Sequence, residues 1–229
     1  MLKIFIGIDE RQPIAYHVLV SSIQRLASRP VAITPLLMHQ LPINRRGLTS
    51  VTYSRYLVPY LCDYQGQAVF MDSDTLLLAD IAGLFDSSTG AGVDVVPFAG
   101  NFAFERPSVM LFNNEKCKNL TPKLIETGTP QDLSWAQDVG HLSPDWNHLV
   151  GYAPYNPNAK LIHYTQGVPG YKECRDCDYS QEWFNEKEQM LSHCSWLEIM
   201  GQSVHAKPVL DRLQSAIKKG GQSPEKNEK

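Results

Sequence analysis

The most informative stretch of this chain is Ala68-Val69-Phe70-Met71-Asp72-Ser73-Asp74. Its four apolar residues predict a buried strand, and two carboxylates follow at the carboxyl end of that strand. Ligands of open α/β sheets bind beyond the carboxyl ends of the strands. Mg²⁺ and Mn²⁺ take one or two protein carboxylates and leave other positions for substrate phosphates, so Asp72 and Asp74 are candidate metal ligands. The alternative is that one of them caps the next helix or closes an Asx turn.

Strands and helices alternate on both sides of this stretch. Strands are predicted at residues 3–8, 31–37, 68–71, 93–98, 108–112 and 160–164. Helices are predicted from Pro13 onward and over residues 50–62, 80–86 and 180–200. This alternation predicts a doubly wound, mostly parallel α/β sheet in one domain. We expect that domain to span residues 1–205, and residues 206–229 to form a helix remnant and a charged tail that is disordered from Lys218 on.

The predicted helices have apolar faces. The helix from Pro13 is expected to bury Ala15, Val18, Leu19, Ser22 and Leu26. The helix over 50–62 is expected to bury Tyr53, Tyr56, Leu57 and Tyr60. The helix over 180–200 is expected to bury Trp183, Met190, Cys194 and Leu197. Each set recurs at helical spacing, as in helices that pack one side against a core.

Composition narrows the function classes. The chain has 229 residues, 43% of them hydrophobic and 20% charged, which excludes a wholly disordered or collagen-like chain. A net charge of −3 offers no excess of positive charge for a nucleic-acid backbone. No apolar run approaches the ~20 residues of a membrane span, so we expect no integral membrane segment and a cytoplasmic location. The five cysteines are an odd, sparse set, for which reduced thiols are expected.

Two further residues are candidates for the same site. Asp9 ends the first strand and is expected at the same edge of the sheet as Asp72, where an acid can bind a ribose or base. Its alternative role is to cap the helix at Pro13. His163 ends a short apolar strand, and a neutral imidazole there would complete an oxygen-rich site that favours Mn²⁺. Its alternative role is structural.

Six blocks of residues occur in an order and at spacings that together resemble a known family. They are Phe5-Ile6-Gly7-Ile8-Asp9-Glu10, Tyr53-Ser54-Arg55-Tyr56-Leu57-Val58-Pro59, Val69-Phe70-Met71-Asp72-Ser73-Asp74, Ser108-Val109-Met110-Leu111-Phe112-Asn113, Trp146-Asn147 and His163-Tyr164-Thr165-Gln166-Gly167-Val168-Pro169. Over residues 3–170 the chain resembles compact GT-A glycosyltransferases, similar to glycosyltransferase family 8 and its small bacterial and viral relatives.

The resemblance implies a metal-dependent glycosyltransferase with a GT-A fold, that is, a Rossmann-like mixed sheet. It implies a nucleotide-sugar donor, with a UDP-sugar favoured, and Mn²⁺ or Mg²⁺ as the cofactor. The implied metal ligands are Asp72, Asp74 and His163. The implied donor-binding residues are Gly7, Asp9, Arg55, Asp72, Ser73 and Gly167. Arg55 and the segment Gln137-Asp138, which matches a motif beside the donor sugar, are the implied catalytic residues.

The chain departs from the family pattern at three places. Pro169 stands where family 8 has a phosphate-neutralising lysine, so that lysine is either absent or replaced by Lys172. Ala136 stands where the first Asp is usual, and residues 106–108 are Arg-Pro-Ser where Asn-x-Gly is usual. The acceptor stays open between a glycan, a lipid-linked acceptor and a small molecule. The stereochemical outcome is also open: inversion needs a base such as Asp138, whereas in retention the leaving phosphate can deprotonate the acceptor.

Other interpretations use the same residues. Asp72-Ser73-Asp74-Thr75 also matches the motif of haloacid-dehalogenase phosphatases, in which the first Asp is a nucleophile. The chain could instead bind a nucleotide sugar without turning it over. Cys174 and Cys177, with His193 and Cys194 further on, have spacings compatible with zinc, although Cys194 is expected to pack as a buried thiol.

Overall fold

The computed structural model describes residues 1–49, 51–192 and 194–220. The chain divides into two compact units, Met1–Met190 and Leu191–Lys229. The boundary expected after residue 205 lies within the second unit.

The first unit contains nine strands among the described residues. They are β1 (Leu2–Gly7), β2 (Val31–Leu36), β3 (Gln67–Asp72), β4 (Thr75–Leu77), β5 (Val93–Val95), β6 (Val109–Asn113), β7 (Val139–His141), β8 (His148–Leu149) and β9 (Leu161–His163). The helices are α1 (Pro13–Leu26), α2 (Val58–Leu61), α3 (Ala82–Asp86), α4 (Pro122–Thr127) and α5 (Ser180–Leu191), whose last residue is assigned to the second unit. Short 3₁₀ segments are Met38–Gln40, Ser54–Leu57, Gly100–Ser108, Asn114–Lys116, Pro130–Asp132, Pro144–Trp146 and Lys172–Cys174.

The main sheet has six strands in the order β2-β1-β3-β6-β5-β7. The pairs β1–β2, β1–β3 and β5–β7 are parallel, whereas β6 runs antiparallel to both of its neighbours. Five strands therefore end at one edge, the carboxyl edge, and β6 ends at the opposite edge, the amino edge. This mixed sheet confirms the predicted α/β class.

Both faces of the main sheet are buried, as the continuous apolar runs predict. Phe5, Phe70 and Phe112 pack on one face with Tyr56 and Trp135. Successive strand side chains point to opposite faces, so the alternate strand residues form the second core cluster. That cluster contains Ile4, Ile6, Val69, Met71 and Leu111, with Leu19 and Ile23 from α1.

A second sheet of three strands, in the order β4-β9-β8, positions His163 at the end of β9. Only the turn at Ser73 and Asp74 separates β3 from β4 along the chain. Strand β4 then pairs antiparallel with β9, and Thr75 lies opposite His163. Strands β4, β7 and β8 were not predicted, because strands of two or three residues carry no periodic signal.

Two predicted helices are shorter than expected. Residues 50–62 contain the 3₁₀ turn Ser54–Leu57 and the single-turn helix α2. Pro59 lacks a backbone N–H, so a continuous helix through it would lose a hydrogen bond. Tyr60 is 39% exposed and does not join the predicted apolar face.

In α1, Ile23 is buried, and the predicted Leu26 is only partly buried.

The predicted helix over 180–200 is divided in the structure. Helix α5 ends at Leu191, and a separate helix α6 (Trp196–Met200) begins after Ser195, which forms a capping box with Glu198. Trp183 is buried as predicted. Cys194 and Leu197 are exposed, so the expectation that they extend the buried face was wrong.

The second unit also contains α7 (Ala206–Gly220). The helix includes residues 218–220, for which disorder was expected, and residues 221–229 lie outside the described residues. Across the helices of the described part of the chain, none is both long enough and apolar enough to cross a bilayer.

Candidate functional site

Asp72, Asp74 and His163 form one cluster at the carboxyl edge of the main sheet. Asp72 ends β3, Asp74 lies in the turn after it, and His163 ends β9. One potential ligand atom from each residue lies within 4.8 Å of the others, and His163 Nε2 is 3.5 Å from Asp74 Oδ1. The pairing of Thr75 with His163 is the reason, because it places the histidine beside the residue that precedes Thr75. The structure thus brings together all three predicted metal ligands.

A chain of hydrogen bonds orients the imidazole of His163. Its Nδ1 lies 3.0 Å from Asn147 Oδ1, while Asn147 Nδ2 donates to Ser108 Oγ at 2.8 Å. The Ser108 hydroxyl donates in turn to the backbone carbonyl of Glu105 at 2.5 Å. Because an amide oxygen only accepts, Nδ1 carries the proton of the neutral imidazole and Nε2 is left with its lone pair toward Asp74.

Arg55 neutralises one of the clustered carboxylates. Its Nη2 lies 2.9 Å from Asp72 Oδ1 and 3.1 Å from Oδ2, and the ion pair is largely buried. Burial raises the pKa of Asp72 to about 6, against the opposing effect of Arg55. The Nε of Arg55 is buried without a hydrogen-bond partner among the described residues. A buried guanidinium with an unused donor suits an anionic ligand in the cleft.

His163 and Asp74 stabilise each other's charged forms. Burial alone would raise the pKa of Asp74, but the charge and hydrogen bond of His163 hold it below its usual value. Burial likewise opposes a charged His163, yet Asp74 and the neighbouring carboxylates raise the pKa of the imidazole. Without a cation, the proton on His163 therefore offsets the negative charge of the site.

Glu105 is a third carboxylate at this site, and the sequence analysis missed it. Its side chain is 13% exposed, with Oε2 3.8 Å from His163 Nδ1, and burial raises the pKa of the carboxyl group. The segment Gly100–Ser108 carries Glu105 and precedes β6. Because β6 is antiparallel, its start lies at the carboxyl edge. Glu105 could have been predicted as a site residue from its position just before an inner strand. That prediction would have required knowing that the strand is antiparallel to its neighbours.

A narrow cleft runs beside the cluster. A cavity of about 110 Å³ is lined by Gly7, Asp9, Gln12, Thr49, Val51, Arg55, Asp72, Ser73 and Asp74. A neighbouring cavity of about 460 Å³ is lined by Ile8, Asp9, Glu10, Arg11, Met38, His39, Arg46, Gly47, Leu48 and Thr49. The two cavities share Asp9 and Thr49. Five of the six predicted donor-binding residues line the smaller cavity.

Gly7 and Asp9 have distinct local environments in this cleft. A Cβ on Gly7 would lie 3.2 Å from the ring of Phe70, so glycine allows the close approach of β1 to that ring. The Asp9 carboxylate forms an ion pair with Arg11 at 2.6 Å. The hydrogen bond from Arg11 is the main reason that the pKa of Asp9 is lowered. Arg11 and Gln12 were not predicted as site residues.

The donor set fits a divalent cation. It combines two carboxylates with an imidazole whose Nε2 is free to coordinate, and such a mixed oxygen and nitrogen set suits Mn²⁺. Arg55 is the one arginine or lysine that forms an ion pair with Asp72, Asp74 or Glu105 in the described part of the chain. The buried cluster therefore carries more negative than permanent positive charge.

The predicted catalytic residues Asp138 and Gln137 lie away from this cluster, and their catalytic role stays a prediction. Asp138 Oδ1 accepts a hydrogen bond from the backbone N–H of Gly92 at 2.8 Å, and Oδ2 pairs with Lys116 at 3.2 Å. Asp138 precedes β7 and Gly92 precedes β5, so both lie at the amino edge. The six residues of β3 separate the two edges by roughly 17 Å at the rise of a strand. Gln137 is exposed next to Asp138.

Gly167 lines a different cavity from the other predicted donor-binding residues. That cavity, of about 410 Å³, is lined by Val150, Gly151, Tyr164, Gln166, Gly167, Glu173, Cys174, Asp176, Cys177 and Asp178. Gly167 adopts a φ of 121°, which favours glycine, and an added Cβ would lie 3.2 Å from the Tyr171 ring. Tyr171 donates a hydrogen bond to Gln12 at 2.5 Å, which connects this segment to the narrow cleft.

The remaining candidates stay outside the cluster. Lys172 is exposed, forms no ion pair with a described residue and lines neither cavity of the cleft, and its replacement of the missing lysine stays a prediction. Cys174 and Cys177 lie on the 410 Å³ cavity, but no third metal-ligating side chain joins them in the described residues. His193 lies outside the described residues. The zinc interpretation therefore gains no support.

A comparison with known proteins places the chain in a family. Protein CDI of Arabidopsis thaliana is 32% identical over 229 residues, covering 82% of this chain and 86% of that protein. No family model matches the chain.

Solved structures of low sequence identity share its fold. The bifunctional glycosyltransferase WbbM is 16% identical, with a TM-score of 0.62 over 92% of this chain, which spans 51% of that protein. GlyE of Streptococcus pneumoniae TIGR4 is 17% identical, with a TM-score of 0.62 over 100% of this chain and 67% of that protein. The galactosyltransferase LgtC, solved with donor and acceptor sugar analogues, is 12% identical, with a TM-score of 0.57 over 86% of this chain and 99% of its own. These likenesses confirm the predicted GT-A glycosyltransferase fold.

Proposed function

The chain belongs to the family of the Arabidopsis thaliana Protein CDI and has the GT-A fold, and from this we propose that it is a metal-dependent glycosyltransferase. It transfers a sugar from a nucleotide-sugar donor to an acceptor hydroxyl. The observation that carries the proposal is the cluster of Asp72, Asp74 and His163 at the carboxyl edge, where their ligand atoms lie within 4.8 Å of one another.

Each residue of the cluster has a role in the proposed transfer. Asp72, Asp74 and the Nε2 atom of His163 would hold Mn²⁺ or Mg²⁺. When bound, such a cation neutralises negative charge that develops on the leaving diphosphate. Arg55 keeps Asp72 ionised and offers its unused Nε–H to an anion. Asn147 holds the imidazole in the tautomer that leaves Nε2 free.

The two joined cavities suit the two parts of a nucleotide-sugar. The smaller one, beside the cluster, suits the diphosphate, and the larger one suits the nucleoside. Asp9 lies where they meet and can accept a hydrogen bond from a ribose hydroxyl. Arg11 and Arg46 bring positive charge to the larger cavity. A UDP-linked donor is favoured by the family resemblance of the sequence.

Inversion through Asp138 loses its support, because this carboxylate faces Gly92 and Lys116 at the other edge. Deprotonation of the acceptor by the leaving phosphate needs no protein base at that position. The proposed acceptor is a hydroxyl of a glycan, a lipid-linked glycan or a small molecule. LgtC, which shares the fold, was solved with analogues of both a donor and an acceptor sugar.

Two other functions are weaker. A phosphatase of the haloacid-dehalogenase type needs Asp72 as a free nucleophile, but Arg55 contacts both of its oxygens and the fold is GT-A. A nucleotide-sugar binder without turnover would use the same cluster and remains the competing outcome of the experiment below.

Calorimetric titration of the full chain with UDP, GDP and CDP, each with and without Mn²⁺, tests the proposal. We expect one nucleotide, UDP, to bind far more tightly with Mn²⁺ than without it, and its sugars to be hydrolysed slowly. Metal-dependent binding without hydrolysis or transfer of any sugar would favour the binder. Absence of nucleotide binding by the folded protein would contradict the glycosyltransferase.

A further inference from the structure

Glu105 is a carboxylate beside the cluster to which no role has been assigned. Its side chain is 13% exposed, and its only ion-pair partner among the described residues is His163. Asp72, by contrast, is held by Arg55. A buried carboxylate without a permanent cation is costly, because burial disfavours its charged form. Such a residue needs either protonation or a compensating cation nearby.

The position of Glu105 separates it from the ligands themselves. Its Oε2 lies 3.8 Å from Nδ1 of His163, whereas Asp74 Oδ1 lies 3.5 Å from Nε2. The two carboxylates therefore interact with opposite nitrogens of one imidazole. Glu105 is not part of the group whose ligand atoms converge within 4.8 Å in the described residues. It can thus act on a cation through the imidazole and through its charge, without coordinating it.

The charges of the site balance only when Glu105 is included. A ligating His163 is neutral, so the three carboxylates of Asp72, Asp74 and Glu105 against the one guanidinium of Arg55 leave two negative charges. A divalent cation neutralises these two charges. Without Glu105, the occupied site would carry a net positive charge before any donor arrives.

We propose that Glu105 is a positioning residue of the cation site: it acts from the Nδ1 side of His163 and supplies the negative charge that completes the balance for a divalent cation. This inference rests on the proposed function. Outer-shell partners of a ligating histidine orient the ring and raise its basicity, and their loss costs about 10- to 100-fold in metal affinity. Asn147 accepts the Nδ1 hydrogen bond of His163, and Glu105 adds its negative charge 3.8 Å from the same nitrogen. The backbone carbonyl of Glu105 already anchors the chain from Ser108 through Asn147 to that ring.

The test compares Glu105→Gln with wild type, using the full chain and Mn²⁺ alone. Calorimetry is expected to show Mn²⁺ binding weakened about 10- to 100-fold. Thermal unfolding without metal is expected at the same or a higher temperature, because the substitution removes a buried charge beside Asp72 and Asp74. The rise in unfolding temperature on adding Mn²⁺ is expected to shrink. Glu115→Gln, at an exposed glutamate, is the matched control and should change none of these values.

A purely structural role predicts the reverse pattern. Lower metal-free stability of Glu105→Gln with unchanged Mn²⁺ affinity would overturn the inference, as would wild-type behaviour in both measurements. Glu105→Asp keeps the charge and is expected to retain more Mn²⁺ affinity than Glu105→Gln. If Glu105→Gln folds poorly, the Mn²⁺ affinity of Glu105→Asp is compared with that of wild type instead. Asp74→Asn distinguishes failure of this inference from failure of the proposed cation site. If Asp74→Asn loses Mn²⁺ binding and Glu105→Gln binds Mn²⁺ normally, only the role of Glu105 is rejected. If Asp74→Asn retains Mn²⁺ binding, the cation site itself is rejected.

Discussion

The two edges of the main sheet carry similar pairs of charged residues in different environments. At the carboxyl edge, Asp72 and Arg55 are 17% and 12% exposed, and Asp74, Glu105 and His163 lie beside them. At the amino edge, Asp138 and Lys116 are 51% and 41% exposed. Water and salt screen the second pair, whereas the first interacts in a medium of low dielectric constant. Of these two edges, the carboxyl edge therefore has the buried charges among the described residues that the proposed cation site requires.

Burial also explains why the short motif Asp72-Ser73-Asp74 is informative, whereas an exposed pair of charged residues is not. An Asp beside a basic residue is common on protein surfaces and contributes little there. The carboxylates that matter here are those that a strand end, a two-residue turn and a second sheet hold in one buried place. The following variants test this difference, beginning with the one of largest expected effect.

Asp74→Asn should remove Mn²⁺ binding and lower the rate of donor hydrolysis or transfer by about 10²- to 10³-fold, because stabilisation of the leaving group's charge is lost. Chelation of the metal from wild-type protein should have the same consequence. Mn²⁺ titration and donor hydrolysis assays measure both. An Asp74→Asn variant with full metal-dependent activity would contradict the assignment of the carboxyl edge.

Arg55→Met should destabilise the protein by about 3 kcal/mol, because it leaves Asp72 buried without its partner. Urea denaturation of the metal-free protein measures this loss. The double variant Arg55→Met with Asp72→Asn should recover much of the stability, since the unpaired charge is then absent. Equal stability of the double and single variants would mean that the buried ion pair is not the cause.

Asn147→Ala should weaken Mn²⁺ binding about tenfold, because Nδ1 of His163 loses the acceptor that fixes its tautomer. Asn114→Ala is its counterpart at the amino edge, where a buried asparagine donates to the carbonyl of Gln65. Both variants should unfold at lower temperature, but Asn114→Ala should bind Mn²⁺ normally. Equal loss of metal affinity in the two variants would show a general effect on the fold.

Asp138→Asn should have the smallest effect. Its exposed ion pair with Lys116 contributes little, and the residue lies at the edge away from the cluster. Metal affinity and donor hydrolysis are expected to equal those of wild type. A marked loss of activity in a variant with normal unfolding would return Asp138 to the catalytic set and contradict the arrangement of the edges.

Most strands of the main sheet were predictable because they are largely apolar runs, whereas the short strand β7 (Val139–His141) is not apolar and was not predicted. Residues 3–8, 68–71 and 108–112 gave strands that the structure confirms within two residues. The helix at 50–62 was predicted less accurately, because Pro59 does not allow one continuous helix there. Local propensity also could not show that Arg55 lies in a 3₁₀ turn. Strand β4 was missed, since three residues carry no periodic signal.

The candidate site was predictable in part for the same reason. Asp72 and Asp74 directly follow a recognisable buried strand, and Asp9 follows another, so their edge could be stated in advance. His163 was a candidate because it ends a short apolar strand, and the family resemblance supported it, but only the pairing of β4 with β9 shows how it reaches Asp74. Glu105 was missed and Asp138 was expected beside the donor for one shared reason: the direction of β6 and the neighbours of β5 are not encoded locally.

The sequence alone determined the α/β class, the buried strands and the carboxylates at the end of β3, because hydrophobic periodicity and strand ends are local properties of the chain. The tertiary structure alone decided which polar residues from distant segments share an edge. Strand direction and register depend on contacts between residues far apart in sequence, and reversing one inner strand exchanges the residues at its two ends. That reversal in β6 puts Glu105 beside His163 and leaves Lys116 beside Asp138, at the edge away from the cluster.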